Sequence, residues 1–265
     1  SSDLIFKEMT LKLFDLAGYD AAVAEKITDE ALQYDKLLAP HVKSAEENAD
    51  YSKMYNPESG EKFIQHSQHL DLKNLLIGLI GEVPEKIIVT EPAFFEKLDE
   101  LVNTKTFQQM KSWMLVMTLN ALTAYLSEEF RQVGGIYSRA LSGAPEARPQ
   151  EKAAFYLASG RFDQIIGDYY GKKYFGEQAK RDVEQMVQRM VGIYQDRLSS
   201  NTWLSEATRE KAIIKLNTLG IHVGYPEKIP AIYTHFKVTT AEEGGTLLSN
   251  ALHFSHLKRK EDRSE

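Results

Sequence analysis

The chain has 265 residues, of which 43% are hydrophobic and 26% are charged, so its composition is that of a folded globular protein and excludes a disordered one. Its net charge of −6, with acids and bases interspersed, argues against a nucleic-acid partner, which requires a basic surface. Because the sequence contains no cysteine, disulfides, thiolate metal sites and cysteine nucleophiles are excluded.

Helical spacing dominates the first forty residues. Apolar side chains recur at three- and four-residue steps, which places each set on one face of a helix. The predicted stripe of the first helix, 3–17, consists of Ile5, Met9, Leu13 and Leu16. Asp20 is expected to cap a second helix that Pro40 ends, because its carboxylate can accept hydrogen bonds from free backbone N–H groups. The stripe of this helix consists of Val23, Ile27, Ala31, Tyr34 and Leu38.

The middle of the chain adds further helices and one candidate strand. Residues 41–60 are polar and rich in turn signals, which predicts a loop with at most a helical turn. The β-branched run 86–89 predicts one strand of a minor sheet or an extended lead-in to a helix capped by Thr90. The predicted helices are 61–80, 92–102, 107–130 and 151–170, with a loop at 141–149. The apolar run 113–126 is shorter than the ~20 residues of a membrane span, so we interpret it as a core helix.

The stretch 172–226 predicts two consecutive helices followed by an extended exit. The apolar stripe of the first consists of Ala179, Val183, Val187, Met190, Tyr194 and Leu198, and that of the second of Ala212, Leu216 and Leu219. Ser205 is expected to cap the second helix and Gly220 to end it. Trp203, in the turn between them, and Trp113 are large enough to anchor helix packing, and we interpret both as core residues.

This arrangement resembles a signature of the neprilysin family of zinc metallopeptidases, and most of all its bacterial endopeptidase O branch. The residues that carry the resemblance are the turn Asn-Thr-Trp-Leu at 201–204, the run Thr-Arg-Glu-Lys-Ala at 208–212 and the exit Gly-Tyr-Pro at 224–226. Four further segments are similar to the family pattern in the same order: 87–102, 111–130, 140–152 and 167–180. Each motif is loose, but their order and spacing together are specific.

The resemblance implies a helical domain that faces a thermolysin-like zinc domain across a chamber, whose restricted access limits cleavage to peptides. It also implies a zinc ion held by an HExxH motif and by the glutamate of a downstream ExxxD motif, with a zinc-bound water attacking the peptide carbonyl. None of the seven histidines is followed by glutamate, and the family's substrate-binding Asn-Ala-Tyr segment is absent as well. We therefore assign no catalytic, metal-binding or substrate-binding residue to this chain, and we expect zinc only in a C-terminal catalytic domain.

Two histidine pairs have a spacing that would let them share a metal on a helix. His66 and His69, and likewise His253 and His256, are three residues apart. No acidic third ligand follows either pair at a suggestive spacing, so we interpret all four as exposed polar residues.

Other polar residues carry weaker signals. Glu46 and Asp50 have the spacing of ExxxD, but they precede the paired helices, and we expect them in a solvated loop or helix end. His222 is isolated among apolar residues, which is more typical of a structural histidine than of a base. Four cations could contact a substrate carboxylate, but by default they form a solvated face: Lys172, Lys173, Arg181 and Arg189.

Taken together, these patterns predict an all-α fold, a multi-helix domain with at most a minor short-stranded element. We divide the chain into a helical cap domain, 1–230, and a connector, 231–265, toward the catalytic domain. Its last four residues resemble the Asp-Arg-Ser-Glu-Trp that leads into the family's catalytic half, without the tryptophan.

The leading hypothesis is that the chain walls the substrate chamber of a zinc metalloendopeptidase that hydrolyses oligopeptides, and is inactive alone. Its partners would be its own C-terminal catalytic domain and peptide substrates, with no nucleic acid and no membrane. The lack of cysteine and of a signal-peptide pattern favours the cytoplasm. The alternative is a free-standing helical module that binds another protein in a groove between helices.

Overall fold

The computed structural model describes residues 2–262, and most of its secondary structure is helical. The α-helices are α1 (Ser2–Leu16), α2 (Ala21–Leu38), α3 (Ala45–Asn48), α4 (Gly60–Phe63), α5 (Leu72–Ile80), α6 (Pro92–Glu96), α7 (Leu98–Leu101), α8 (Phe107–Leu122), α9 (Glu128–Gly134), α10 (Ile136–Ser142), α11 (Gln150–Arg161), α12 (Asp163–Tyr170), α13 (Gly176–Ser199), α14 (Glu206–Asn217) and α15 (Leu247–Asp262). Short 3₁₀ helices are Ala39–His41, Tyr51–Met54, Ile64–His66, Thr123–Tyr125 and Ala231–His235. A π-helical turn, Gly171–Phe175, joins α12 to α13.

One small sheet completes the secondary structure. Strand β1 (Pro57–Ser59) pairs antiparallel with β2 (Lys86–Ile88), with Glu58 opposite Ile87. The predicted all-α class with a minor stranded element is confirmed. Among residues 2–262, no helix is both long and apolar enough to cross a bilayer.

The chain divides into two compact units. Unit 1 contains the residues up to Ala147 together with those from Thr239 onward, and unit 2 is Arg148–Val238. Helix α15 belongs to unit 1, where it contacts the turn Thr123–Tyr125. This division by compactness differs from the predicted functional division at residue 230, and the role of 231–265 as a connector stays a prediction. Arg263–Glu265, which include most of the predicted catalytic-half motif, lie outside the described residues.

The core of unit 1 forms where α8 packs against α2, with α1 alongside both. Phe14, Ala24, Ala31 and Val116 are buried together there. Ala24, Thr28 and Ala31 lie on one face of α2, and because these side chains are small, α8 can pack close to the α2 backbone. The buried hydroxyl of Thr28 donates to the carbonyl of Ala24 at 2.8 Å, so it adds no unsatisfied polar group.

The cap of α2 was predicted correctly and its buried face only in part. The Asp20 carboxylate accepts hydrogen bonds from the N–H groups of Ala22 and Val23, at 2.9 and 3.2 Å. Val23 itself, however, is 47% exposed, whereas the adjacent Ala24 is buried. The buried face is therefore rotated by one residue from the predicted stripe at the start of the helix.

The prediction of one continuous helix over 61–80 is wrong, because the centre of this segment forms a turn. The carboxylate of Asp99 accepts hydrogen bonds from the Ser67 hydroxyl and from the backbone N–H groups of Gln68 and His69. A side chain 31 residues away along the chain thus satisfies donors that a continuous helix would have used. The Ser67 hydrogen bond holds the pKa of Asp99 below its ordinary value, which matches its role as an ionised acceptor.

Three other long predicted helices are interrupted. The segment 92–102 begins at Pro92 as predicted and bends at Lys97, but Glu91 occupies the cap position that was predicted for Thr90. The segment 107–130 tightens into the 3₁₀ turn Thr123–Tyr125 before Ser127 caps α9. The segment 151–170 breaks at Phe162, whose φ of −112° is not helical.

A buried leucine on α1 should contribute far more stability than an exposed one on the same helix. Leu13 is fully buried and Leu4 is 56% exposed. We expect Leu13→Ala to lower the free energy of unfolding of unit 1 by about 2–5 kcal/mol, because it leaves a cavity. Leu4→Ala, the matched control, should change it by less than about 0.5 kcal/mol.

Urea denaturation in a Trp203→Phe background measures this effect, because Trp113 is then the one tryptophan left and it lies in unit 1. Equal losses for the two leucine variants would contradict the assigned core.

Candidate functional surface

The turn between α13 and α14 is held by its own polar side chains. The side-chain oxygen of Asn201 accepts hydrogen bonds from the N–H groups of Trp203 and Leu204, at 3.1 and 2.9 Å. Arg209 donates to the Asn201 carbonyl at 2.7 Å. Ser205 caps α14 as predicted, since its hydroxyl accepts from the Thr208 N–H at 3.3 Å. The turn therefore needs no contribution from the Trp203 ring.

Trp203 is accordingly exposed, and its predicted core position is wrong. Its exposed fraction is 80%. Trp113 does pack against the unit 1 core, and its indole N–H donates to Asp35 at 3.2 Å. Gly220 likewise does not end α14, which stops at Asn217.

Two glycines and two aromatic rings fix the Gly-Tyr-Pro exit against the π-helical turn. A Cβ on the buried Gly171 would lie 2.5 Å from the ring of Tyr225. A Cβ on Gly224, whose φ is +73°, would lie 2.8 Å from the ring of Phe175. Lys180 also donates to the Tyr225 carbonyl at 3.3 Å, with its ammonium 4.9 Å from the ring centre. Each aromatic ring thus packs where the facing residue has no side chain.

Unit 2 leaves many apolar side chains at its surface. Within 148–238, all of which the structure describes, Ile232 is the one buried hydrophobic side chain. The exposed apolar and aromatic residues of α12, the π-helical turn, α13 and α14 include Ile166, Tyr169, Tyr170, Tyr174, Met186, Met190, Ile193, Tyr194 and Ile214. The predicted stripe of α13 is thus only partly covered. Four of its six residues are partly buried, whereas Met190 and Tyr194 are exposed.

The four cations considered for substrate contact are exposed. Lys172 pairs with Asp168 at 2.9 Å, and Arg181 with Glu177 at 3.3 Å. The ammonium of Lys173 lies 5.5 and 5.3 Å from the ring centres of Tyr169 and Tyr174. These contacts match a solvated face, and no substrate role follows from them.

The histidine pair at 66 and 69 does not lie on one helix. His66 ends the 3₁₀ helix Ile64–His66, and His69 lies in the turn that Asp99 stabilises. The Nε2 atom of His66 is instead 2.7 Å from the carboxylate of Glu58 on β1. The same carboxylate pairs with Lys62 at 3.1 Å. This is a structural contact between the sheet and the helix that follows it.

The remaining candidates are surface residues. His253 and His256 are exposed on α15, and Glu46 is exposed on α3. His222 is exposed in the loop after α14, which does not match the apolar surroundings expected from its neighbours in sequence. Across residues 2–262, no three His, Asp or Glu side chains are grouped so that they could hold a metal ion. The described residues therefore do not fit a zinc ion.

Comparison with known proteins identifies the family. A family model described as peptidase family M13 matches residues 4–226. This chain belongs to peptidase family M13. The predicted neprilysin-family resemblance is thereby confirmed.

The M13 chain is 43% identical to the neutral endopeptidase of Lactococcus lactis subsp. lactis, over 91% of its own length and 38% of that protein. It is also 43% identical to the neutral endopeptidase of Lactobacillus helveticus, over 86% of this chain and 35% of that protein. The crystal structure of PepO from Lactobacillus rhamnosis HN001 matches with a TM-score of 0.89 and 31% identity, covering 97% of this chain and 40% of that one.

The zinc metalloprotease Zmp1 of Mycobacterium tuberculosis, solved with an inhibitor, has the same fold with a TM-score of 0.77 and 21% identity. That match covers 97% of this chain and 40% of the Zmp1 chain. The M13 chain thus spans about two fifths of the length of the relatives it matches.

The Glu58 contact should make the stability of unit 1 depend on pH. Burial alone would raise the pKa of Glu58, but hydrogen bonds from His66 and Lys62 outweigh it and hold the pKa below its ordinary value. The folded state therefore favours the ionised carboxylate, and this stabilisation is present above the ordinary carboxyl pKa and lost as the pH falls through the lowered one.

We expect the urea midpoint to fall between about pH 5 and pH 3, and to fall less steeply in Glu58→Gln. Glu61→Gln, at an exposed position of α4, is the control and should retain the original pH profile. If the urea midpoint of Glu58→Gln varied with pH as it does in the unaltered chain, the Glu58 contact would not be the source of the pH dependence.

A methyl group at Gly171 should destabilise unit 2. Gly171→Ala would press a Cβ into the Tyr225 ring, and we expect a loss of about 1–3 kcal/mol in the free energy of unfolding. Gly192→Ala, inside α13 with no atom within 4 Å of its added Cβ, should instead stabilise by about 0.5–1 kcal/mol. Urea titration followed by circular dichroism tests the opposite signs, and a stabilising Gly171→Ala would disprove the packing described.

Proposed function

We propose that this chain is the noncatalytic helical part of a zinc metalloendopeptidase that hydrolyses oligopeptides, and that it walls the substrate chamber of that enzyme. One observation carries the proposal. The M13 match extends over residues 4–226, yet the chain has no HExxH motif and its described residues group no three potential metal ligands. The chain is therefore suited to shape and enclose a site whose chemistry lies elsewhere in the polypeptide.

The structure of unit 1 suits this role. The buried core between α1, α2 and α8 and the cap of α2 support this role, because a closely packed wall can exclude folded proteins while admitting short peptides. In this proposal the partners are the remaining part of the same peptidase and its peptide substrates. Zinc would be held in that remaining part, where it would supply a Lewis acid and an activated water. Neither a nucleic acid nor a membrane is a partner.

The free-standing interaction module remains the second candidate, because unit 2 exposes enough apolar surface to bind another protein. The two hypotheses differ in what covers that surface. In the first it is covered by the same polypeptide, and in the second by a separate protein.

A full-length chimera tests the proposed function. The matching region of the Lactococcus lactis neutral endopeptidase is replaced by this chain, which is 43% identical to it. We expect the chimera to hydrolyse a short fluorogenic peptide, to lose this activity on zinc chelation, and to leave a folded protein of similar cleavable sequence uncut, because the chamber admits only peptides.

The isolated chain is the matched control, and we expect it to bind no stoichiometric zinc and to cleave no peptide. Zinc-dependent hydrolysis by the purified chain alone would overturn the proposal. So would a folded, zinc-loaded chimera that cleaves folded proteins as readily as peptides.

A further inference from the structure

We draw no further inference here: the strongest candidate, the surface patch of exposed apolar side chains on α13 that includes Met186, Met190 and Ile193, carries none, because nothing in the structure shows what covers it.

Discussion

The close approach of α8 to α2 is the constraint on which the rest of unit 1 depends. It exists because Ala24, Thr28 and Ala31 present little volume on one helix face, and because the Thr28 hydroxyl is satisfied within its own helix. Phe14 and Val116, which have no solvent exposure, then complete the buried cluster with Ala24 and Ala31. Tyr34, from the same buried face, donates its hydroxyl to the carbonyl of Leu101 at 3.2 Å and so ties α2 to the α6–α7 region.

Periodicity predicted the helices of this protein where a helix is stabilised by its own neighbours in sequence. Asp20 and Ser205 act as the predicted caps, because capping is decided within three or four residues. The interruptions of the predicted helices could not be predicted from periodicity. The helix expected over 61–80 is interrupted by a carboxylate contributed from Asp99, and strand β1 exists only because β2 pairs with it. Such long-range contacts leave no periodic signal in the segment that they reshape.

The candidate surface shows the same division between local and distant causes. The order of motifs around the paired helices was sufficient to predict the family, and the absence of HExxH could be seen directly in the sequence. The exposure of Trp203 could not, because hydrophobicity predicts that a side chain is to be covered but not which part of the polypeptide covers it. The same holds for Met190 and Tyr194 on α13, which the sequence placed on a buried stripe and the structure leaves open. This surface is therefore recognised by comparing two observations. The sequence pattern predicts that these apolar side chains are buried, and the structure shows that they are exposed.

The facing pairs Gly171 with Tyr225 and Gly224 with Phe175 join the Gly-Tyr-Pro segment to the π-helical turn. A ring at 225 can be retained only where 171 has no side chain, and a ring at 175 only where 224 has none. The four positions thus form a single steric unit distributed over distant parts of the sequence, in which no member can be exchanged independently. The shape of the Gly-Tyr-Pro exit is therefore matched to that of a helical turn about fifty residues earlier in the chain.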